Sequence, residues 1–329
     1  MIALDAMGGD QAPGAIVAGA VHAVRAGLSV LLVGDEAQLA PLIPRGVSLP
    51  IQHAAEVIGM DEPPVAAVRR KKGASISVAL QAVAEGRAAG AVSCGSTGAA
   101  MASALFRLGR IPGVSRPGVS AVVPRVDGGQ LVLLDLGANV DCRPEHLALF
   151  ALMGHCYAVA GQGLTAPRIG LLSNGHEAGK GNEQVRAAEG LIRALPVNFI
   201  GQIEPTEAFR GGCDVLVCDG FVGNVMLKTV ESTAEVVSRL LKEEIVRYTA
   251  GRLGAWLLQG ALRRFRKRTD YAEFGGGLLL GVKGVVVIGH GRSDSGAVFG
   301  AIQQASQLAS HGIVAQLEQT MAAASAAEG

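Results

Sequence analysis

Aromatic side chains are scarce in this sequence: 8 Phe, 3 Tyr and 1 Trp among 329 residues. Ala, Gly, Val and Leu carry most of the apolar mass, and such small residues let helices lie close on a sheet. A charge of one sign is missing too. The 29 Lys and Arg offset 28 Asp and Glu. The resulting +1 excludes a nucleic-acid footprint over the whole surface. Long apolar runs are absent, although mean hydropathy is high at +0.36. The longest, Phe274 to Gly289, is rich in Gly and broken by Lys283, whereas a membrane span needs about 20 apolar residues. The five cysteines, Cys94, Cys142, Cys156, Cys213 and Cys218, form no CxxC pair. Neither a zinc site nor a disulfide framework is expected, and a reducing cytosol is. The start, Met-Ile-Ala-Leu-Asp, lacks the basic and apolar regions of a secretory leader, which also predicts a cytoplasmic chain. No GxxxxGK[ST] occurs, and no GxGxxG follows the first apolar run. A P-loop and a dinucleotide fingerprint are therefore not indicated.

Short Val-, Ile- and Leu-rich runs alternate with longer Ala-rich stretches. Strands are predicted at Ile2 to Leu4, Ser29 to Val33, Ala91 to Ser93, Val119 to Val123, Leu131 to Leu134, Arg168 to Leu172, Phe199 to Gln202, Asp214 to Cys218 and Gly284 to Ile288. Continuous apolar runs suit strands buried on both faces of a mostly parallel sheet, and the alternation with helices predicts a doubly wound α/β fold. Asp127-Gly128-Gly129 is a hairpin signal, so part of the sheet is antiparallel. No linker divides the chain, which reads as one domain over 1–329. The tail from Met321 is expected to fray. Glu231 to Arg268 stands apart as a basic, Gly-interrupted helical segment projecting from that domain.

Six predicted strands run into loops of Gly with Ser, Thr, Asn, Asp or His. In open α/β sheets ligands bind beyond the carboxyl ends of strands, and a following helix N-terminus favours an anion. Together the loops predict one polar site suited to phosphate. They supply Asp5, Gly8, Gly9, Ser96, Thr97, Asn139, Asn182, Asp219, Gly223 and His290. Gly-rich turns also occur for backbone reasons alone, so the weight rests on their number. Lys180, flanked by Gly179 and Gly181, is suited to hold phosphate or an oxyanion; the plainer alternative is a solvated lysine. Asn224 and Lys228, at i and i+4, share a helix face, where Asn224 can equally be a cap. His290 reads either as a donor or as a structural histidine.

These motifs resemble a family. DAMGGD at Asp5 to Asp10, GMDEPP at Gly59 to Pro64, LLDLGANVDCRPEHL at Leu133 to Leu147, KGN at Lys180 to Asn182 and CDGFVGNVMLKT at Cys218 to Thr229 are similar, in order, to the PlsX-type acyl-acyl carrier protein:phosphate acyltransferases. The chain departs from them at Ser96, where the family usually has Asn, at Ser173 to Gly179, and at Gln202 to Pro205. The resemblance implies a homodimer with a Rossmann-like core related to the isocitrate and isopropylmalate dehydrogenase fold, using no cofactor, metal or nucleotide. It implies that inorganic phosphate attacks the thioester of acyl-acyl carrier protein, with Lys180 and Asn224 as catalytic candidates and Cys94 as packing. It further implies loose contact with an anionic membrane and with the downstream membrane glycerol-3-phosphate acyltransferase.

Alternatives of other classes are a phosphotransacetylase-like enzyme using acyl-CoA, a nicotinamide-dependent dehydrogenase and a non-enzymatic phosphate-binding or lipid-pathway scaffold. Against the dehydrogenase, the chain shows no cluster of Asp ligands for a divalent metal with substrate-binding arginines. On a helical wheel of Val246 to Arg268, Leu257 and its apolar neighbours share an arc with Trp256 at its margin, and Arg252, Arg263 and Arg266 lie opposite. Such a face suits a membrane interface, the acidic carrier protein or a partner subunit.

Overall fold

The computed structural model describes residues 1–177, 179–248, 254–262 and 276–327. Alternation along the strands decides the layering. In β1 (Ile2–Asp5), Ile2 and Leu4 join one apolar cluster while Ala3 joins a second on the opposite face. β9 (Val215–Val217) divides likewise, with Leu216 facing away from Val215 and Val217. The first cluster is closed by α1 (Gly14–Arg25), the short α2 (Glu36–Leu39), α6 (Pro144–Gln162), α7 (Glu183–Arg193), α10 (Ser295–Ser310) and α11 (Ile313–Ala327). The second is closed by α3 (Pro64–Arg70), α4 (Ser75–Ala84), α5 (Thr97–Arg107) and α8 (Pro205–Phe209). Helices thus cover both faces, as the continuous apolar runs predict.

The other strands are β2 (Val30–Gly34), β3 (Ile51–His53), β4 (Gly90–Ser93), β5 (Gly118–Pro124), β6 (Gln130–Leu134), β7 (Arg168–Leu172), β8 (Asn198–Ile203), β10 (Gly277–Leu280) and β11 (Val285–Ile288). They form one sheet in the order β3-β2-β1-β4-β11-β10-β5-β6-β9-β7-β8. Among the described residues seven strand pairings are parallel and three antiparallel. The antiparallel ones are β11 with β10, β10 with β5 and β5 with β6. Three reversals in succession leave two parallel blocks running in opposite directions, β3-β2-β1-β4-β11 and β6-β9-β7-β8. The Asp127-Gly128-Gly129 signal accounts for one reversal. β10 lies in the Gly-rich run 274–289, and it and the edge strand β3 have no counterpart among the predicted strands.

Register places the ends of the blocks. Asp5, Ser93 and Ile288 stand side by side where β1, β4 and β11 end. Ile288 lies opposite Gly277; the next residue, Leu278, lies opposite Ser120, which lies opposite Leu134 at the end of β6. Both sets of carboxyl ends come within one residue of the same level, pointing opposite ways.

α9 (Gly220–Arg247) is 28 residues long, and only Gly220 and Gly223 are buried along it. It is about 40 Å long at 1.5 Å per residue, and beyond its first two turns, where Met226 and Leu227 pack on the core, it projects. It therefore begins well before the projecting segment expected from Glu231. Residues 254–262 are helical but for a turn at Leu258, with Trp256, Leu257 and Leu258 each more than half exposed. Arg252, Arg263 and Arg266 lie outside the described residues. The tail does not fray at Met321. That residue is buried, and Thr320 accepts from the Cys156 thiol at 3.2 Å, which holds α11 on α6.

Opposite the site, Asp214 ties the second block together. Its carboxylate accepts from the Arg168 backbone N–H at 2.9 Å and Nε at 3.0 Å, and from Arg125 Nη1 at 2.7 Å. Burial alone would raise this carboxyl; the Arg168 and Arg125 donors override burial and hold it at about 2. The unfolded value is 3.8, so the stabilisation is present above that pH and is lost as pH falls towards 2. It is worth on the order of 2 kcal/mol. Asp214→Asn is expected to lower the melting temperature at pH 7 and to flatten the loss of stability between pH 4 and 2, measured by thermal unfolding across pH. A second expectation concerns the seat of α9. A Cβ at Gly223 would collide with the Asp135 carbonyl oxygen. Gly223→Ala should displace the first turn of α9 and expose its backbone amides to hydrogen exchange, while amides of β1 and β4 stay protected.

Candidate active site

The six loops are shared between the two blocks, whose carboxyl ends meet at nearly the same level: those after β1, β4 and β11 belong to the first and those after β6, β7 and β9 to the second. At the first block, the buried Asp5 carboxylate accepts from Ser93 Oγ at 2.7 Å, and Ser93 Oγ accepts from Gly95 N–H at 3.1 Å. A Cβ on Gly8 would lie 2.6 Å from Asp5 Oδ2 and 2.9 Å from Gly95 N, so only glycine fits. Gly9 has φ +111° and packs against the carbonyls of Cys94 and Gly291. Asp10 N–H donates to Gly291 O at 2.8 Å, closing the loops after β1, β4 and β11 into one cluster. Burial pushes the Asp5 carboxyl up, against the pull of Ser75 and Ser93.

Other members of this cluster hold ordinary backbone duties. Ser96 caps α5 by accepting from Ala99 N–H at 3.4 Å, and Thr97 is the exposed first residue of that helix. Exposed His290 accepts from Arg292 N–H through Nδ1 at 3.3 Å, which leaves Nε2 for an external partner. Cys94 is 1 % exposed, and burial first, then the Asp5 charge, push its thiol up to about 11 against a Ser293 hydrogen bond.

At the second block, one buried carboxylate organises the turn after β6. Asp135 accepts from the N–H groups of Val119 (2.8 Å), Leu136 (2.8 Å), Ala138 (3.2 Å) and Asn139 (2.7 Å), and from Asn139 Nδ2 (3.0 Å). Burial raises its pKa and these donors lower it, with a net rise. Asn139 also donates to Pro117 O at 2.8 Å, so its amide is spent inside the protein. Asp219 caps α9, accepting from Val222 N–H at 2.8 Å. Gly220 donates to Asn139 O at 2.8 Å. Gly137, at φ +124°, comes against the Asn224 side chain, where a Cβ would sit 3.3 Å from Nδ2. Asn224 is thus not the cap; it flanks the β6 turn, with exposed Lys228 one turn further along α9.

The loop after β7 joins this cluster through α7. Gln184 Nε2 donates to Cys142 O at 3.0 Å. Asn182 caps α7, accepting from Val185 N–H at 2.9 Å. Lys180 is half exposed, folds over Gly175 and stands 4.0 Å from Glu177 Oε2. Ser173, at the end of β7, has a buried Oγ with no partner among the described residues. Sequence reading missed Ser173, and missed Ser93 and Asp135 as anchors. Their one signal is position: each stands at the last residue of a strand or the first after it. Among the described residues no group of His, Cys, Asp and Glu is arranged to hold a metal ion.

The geometry can be set beside known proteins. The model of the fatty acid synthesis protein family matches residues 1–316. A phosphate acyltransferase of Pelotomaculum thermopropionicum is 51 % identical over 310 residues, covering 93 % of this chain and 90 % of that protein. One from Myxococcus xanthus is 46 % identical over 333 residues, covering 99 % and 94 %. Among solved structures, a phosphotransacetylase from Streptococcus pyogenes shares the fold at TM-score 0.64 and 18 % identity, covering 94 % of this chain and 93 % of that one. A 4-hydroxythreonine-4-phosphate dehydrogenase from Klebsiella pneumoniae does so at 0.52 and 14 %, covering 94 % and 99 %. Matched from end to end by these sequences, with the Asp5 and Asp135 loops at its two strand ends, the chain belongs to the fatty acid synthesis protein family of phosphate acyltransferases.

Proposed function

We propose that the chain transfers a long-chain acyl group from acyl carrier protein to inorganic phosphate by direct attack on the thioester. The observation that carries this reading is the 51 % identity to a phosphate acyltransferase over nine-tenths of both chains. A phosphate oxygen attacks the carbonyl carbon, the C–S bond breaks, and the carrier leaves as a thiol once it takes a proton. The burial of the cysteines supports direct attack. Burial lifts Cys94 and Cys142 to about 11 and Cys213 to about 12, and raises Cys156 and Cys218 as well. The thiolate is the nucleophilic form, so none of the five suits an acyl-enzyme.

Lys180 and Asn224 are assigned to the phosphate and the oxyanion, with Asn182 and Lys228 beside them. The support is their shared place at the carboxyl ends of β7 and β9, against the N-termini of α7 and α9. Gly8, Gly9 and His290, across the sheet, are assigned to the acyl thioester. The core is read as related to the isocitrate dehydrogenase type. The exposed apolar residues of α9, such as Val236, Val237 and Leu240, support a homodimer. Exposed Trp256 and Leu257 support reversible membrane contact.

Carrier protein loaded with a long acyl chain should release free carrier only when phosphate is added. Activity confined to acyl-CoA would overturn the carrier assignment. Lys180→Ala should lower turnover by more than tenfold with the fold intact, since one positioned oxyanion donor is worth about 10²–10³ in rate; Cys94→Ala should leave turnover unchanged. For the membrane reading, wild type should float with anionic liposomes at low salt. Trp256→Glu with Leu257→Glu should stay in the soluble fraction and still turn over soluble substrate. Dissociation of that variant to monomers would assign the face to the subunit contact instead.

A further inference from the structure

Four consecutive cations, Arg69, Arg70, Lys71 and Lys72, end α3 and begin the turn after it. Arg107, on the last turn of α5, donates through Nη2 to the Lys72 carbonyl at 3.0 Å and brings a fifth cation to the same place. The neighbouring carboxylates are Glu56, Asp61 and Glu62, and Glu85, which Gln81 links to Arg107 but which pairs with Arg87. Glu62 is already committed. It accepts from Lys71 at 2.5 Å and Gly59 N–H at 2.8 Å and pairs with Arg70 at 2.7 Å, and these donors pull it down to about 2. Glu56 accepts from Gly73 N–H at 2.9 Å. Arg69, Lys72 and Arg107 are left without an ion pair among the described residues. In a chain of net charge +1, this is a concentrated positive face.

The same face carries apolar surface. The Arg69 guanidinium lies 5.5 Å above the Phe106 ring, which is 52 % exposed, and Val65 is exposed beside them on α3. Arginines and aromatics over a small apolar patch are what protein interfaces favour. The face also adjoins the first loop cluster. Pro64 at the start of α3 is packed so tightly on α5 that a Cβ at Gly98 would come within 2.6 Å of it. Met60, just before α3, reaches towards Gly291. From Thr97 at the loop to Arg107 at the patch, α5 covers about 15 Å at 1.5 Å per residue. A carrier seated on the patch and bearing its acyl group on a long flexible arm would present the thioester to the loops after β4 and β11.

Among the described residues, α9 offers no comparable field. Along α9, Lys228, Arg239, Lys242 and Arg247 are interleaved with Glu231, Glu235, Glu243 and Glu244. Complementary potential steers a partner only where one sign dominates. We propose that the face made by the end of α3, Arg107 and Phe106 is the docking surface for an acidic acyl carrier protein. This rests on the carrier reading above.

The test is steady-state kinetics of Arg69→Glu with Lys72→Glu on two donors: acyl-carrier protein and an acyl-pantetheine thioester that lacks the carrier. The KM for the carrier substrate should rise at least tenfold, with acyl-pantetheine turnover unchanged. The salt dependence of that KM, steep in wild type, should flatten. Arg69→Gln with Lys72→Gln should give an intermediate rise, which separates charge from misfolding. An unchanged KM in the Glu variant, with wild type active on the carrier substrate, would overturn the docking face alone. So would a rise produced only by Arg263→Glu with Arg266→Glu. Wild type inactive on acyl-carrier protein but active on acyl-CoA would instead overturn the carrier reading.

Discussion

The Asp135 carboxylate, buried at the point where β6 ends, collects four backbone N–H groups and one side-chain amide. Each donor would otherwise be an unmet polar group in an apolar surround, at a cost of about 1–3 kcal/mol. The carboxylate in turn cannot stay buried without them. This mutual need fixes the turn 135–139, and with it β5, through Val119, and the seat of α9, through the Asn139 carbonyl that receives Gly220 N–H. Gly220 and Gly223 bring the helix axis onto that turn because neither carries a Cβ. A 28-residue helix is therefore held by its first two turns, where Met226 and Leu227 also pack on the second apolar cluster.

The first block repeats the device with fewer bonds. Asp5 is held by Ser93, and Ser93 by Gly95, so β1 and β4 end in a shared polar knot that Gly8 is small enough to cover. The two knots differ in consequence. Asp135 is saturated by fixed donors and serves as a structural pin. Asp5 has fewer donors and sits among loops that pack through carbonyls and glycines, where burial pushes its carboxyl up. Burial pushes the Asp135 carboxyl up as well, so the two knots differ in the number of their donors and not in the direction of that shift.

Much of the fold is legible in the sequence because strands buried on both faces leave continuous apolar runs. Arg168–Leu172 is bounded by Pro167 and Ser173 and matches β7 residue for residue. β10 escapes because its Gly residues imitate a turn, and β3 because a three-residue edge strand has no periodicity to read. The error of consequence follows from β10. Without it, the reversals between β11 and β6 are invisible, and the six strand-end loops read as the ends of one parallel sheet rather than as two opposed sets whose carboxyl ends meet at one level. The identities of polar residues at strand ends were readable. Whether each faces a ligand or its own backbone was not, since Asn139 and Ser96 use the same donors and acceptors for either purpose.

A tetrahedral intermediate at a thioester needs a nucleophile, donors for the oxyanion and an exit for sulfur; it does not need an acyl-enzyme, because the thioester is already activated. The cysteines illustrate why the protein does not supply one. Cys94 stands next to the Asp5 knot, yet burial and the neighbouring carboxyl both disfavour its thiolate. Moving that thiol into reach would require Gly289 and Gly9, packed against its Sγ and Cβ, to give way, and their loops are pinned by Asp10 to Gly291 and by Gly289 to Ser93. The same hydrogen bonds that build the first cluster therefore keep its one thiol out of the chemistry. This agrees with the proposal that phosphate itself attacks, since glycine loops and helix N-termini suit that anion.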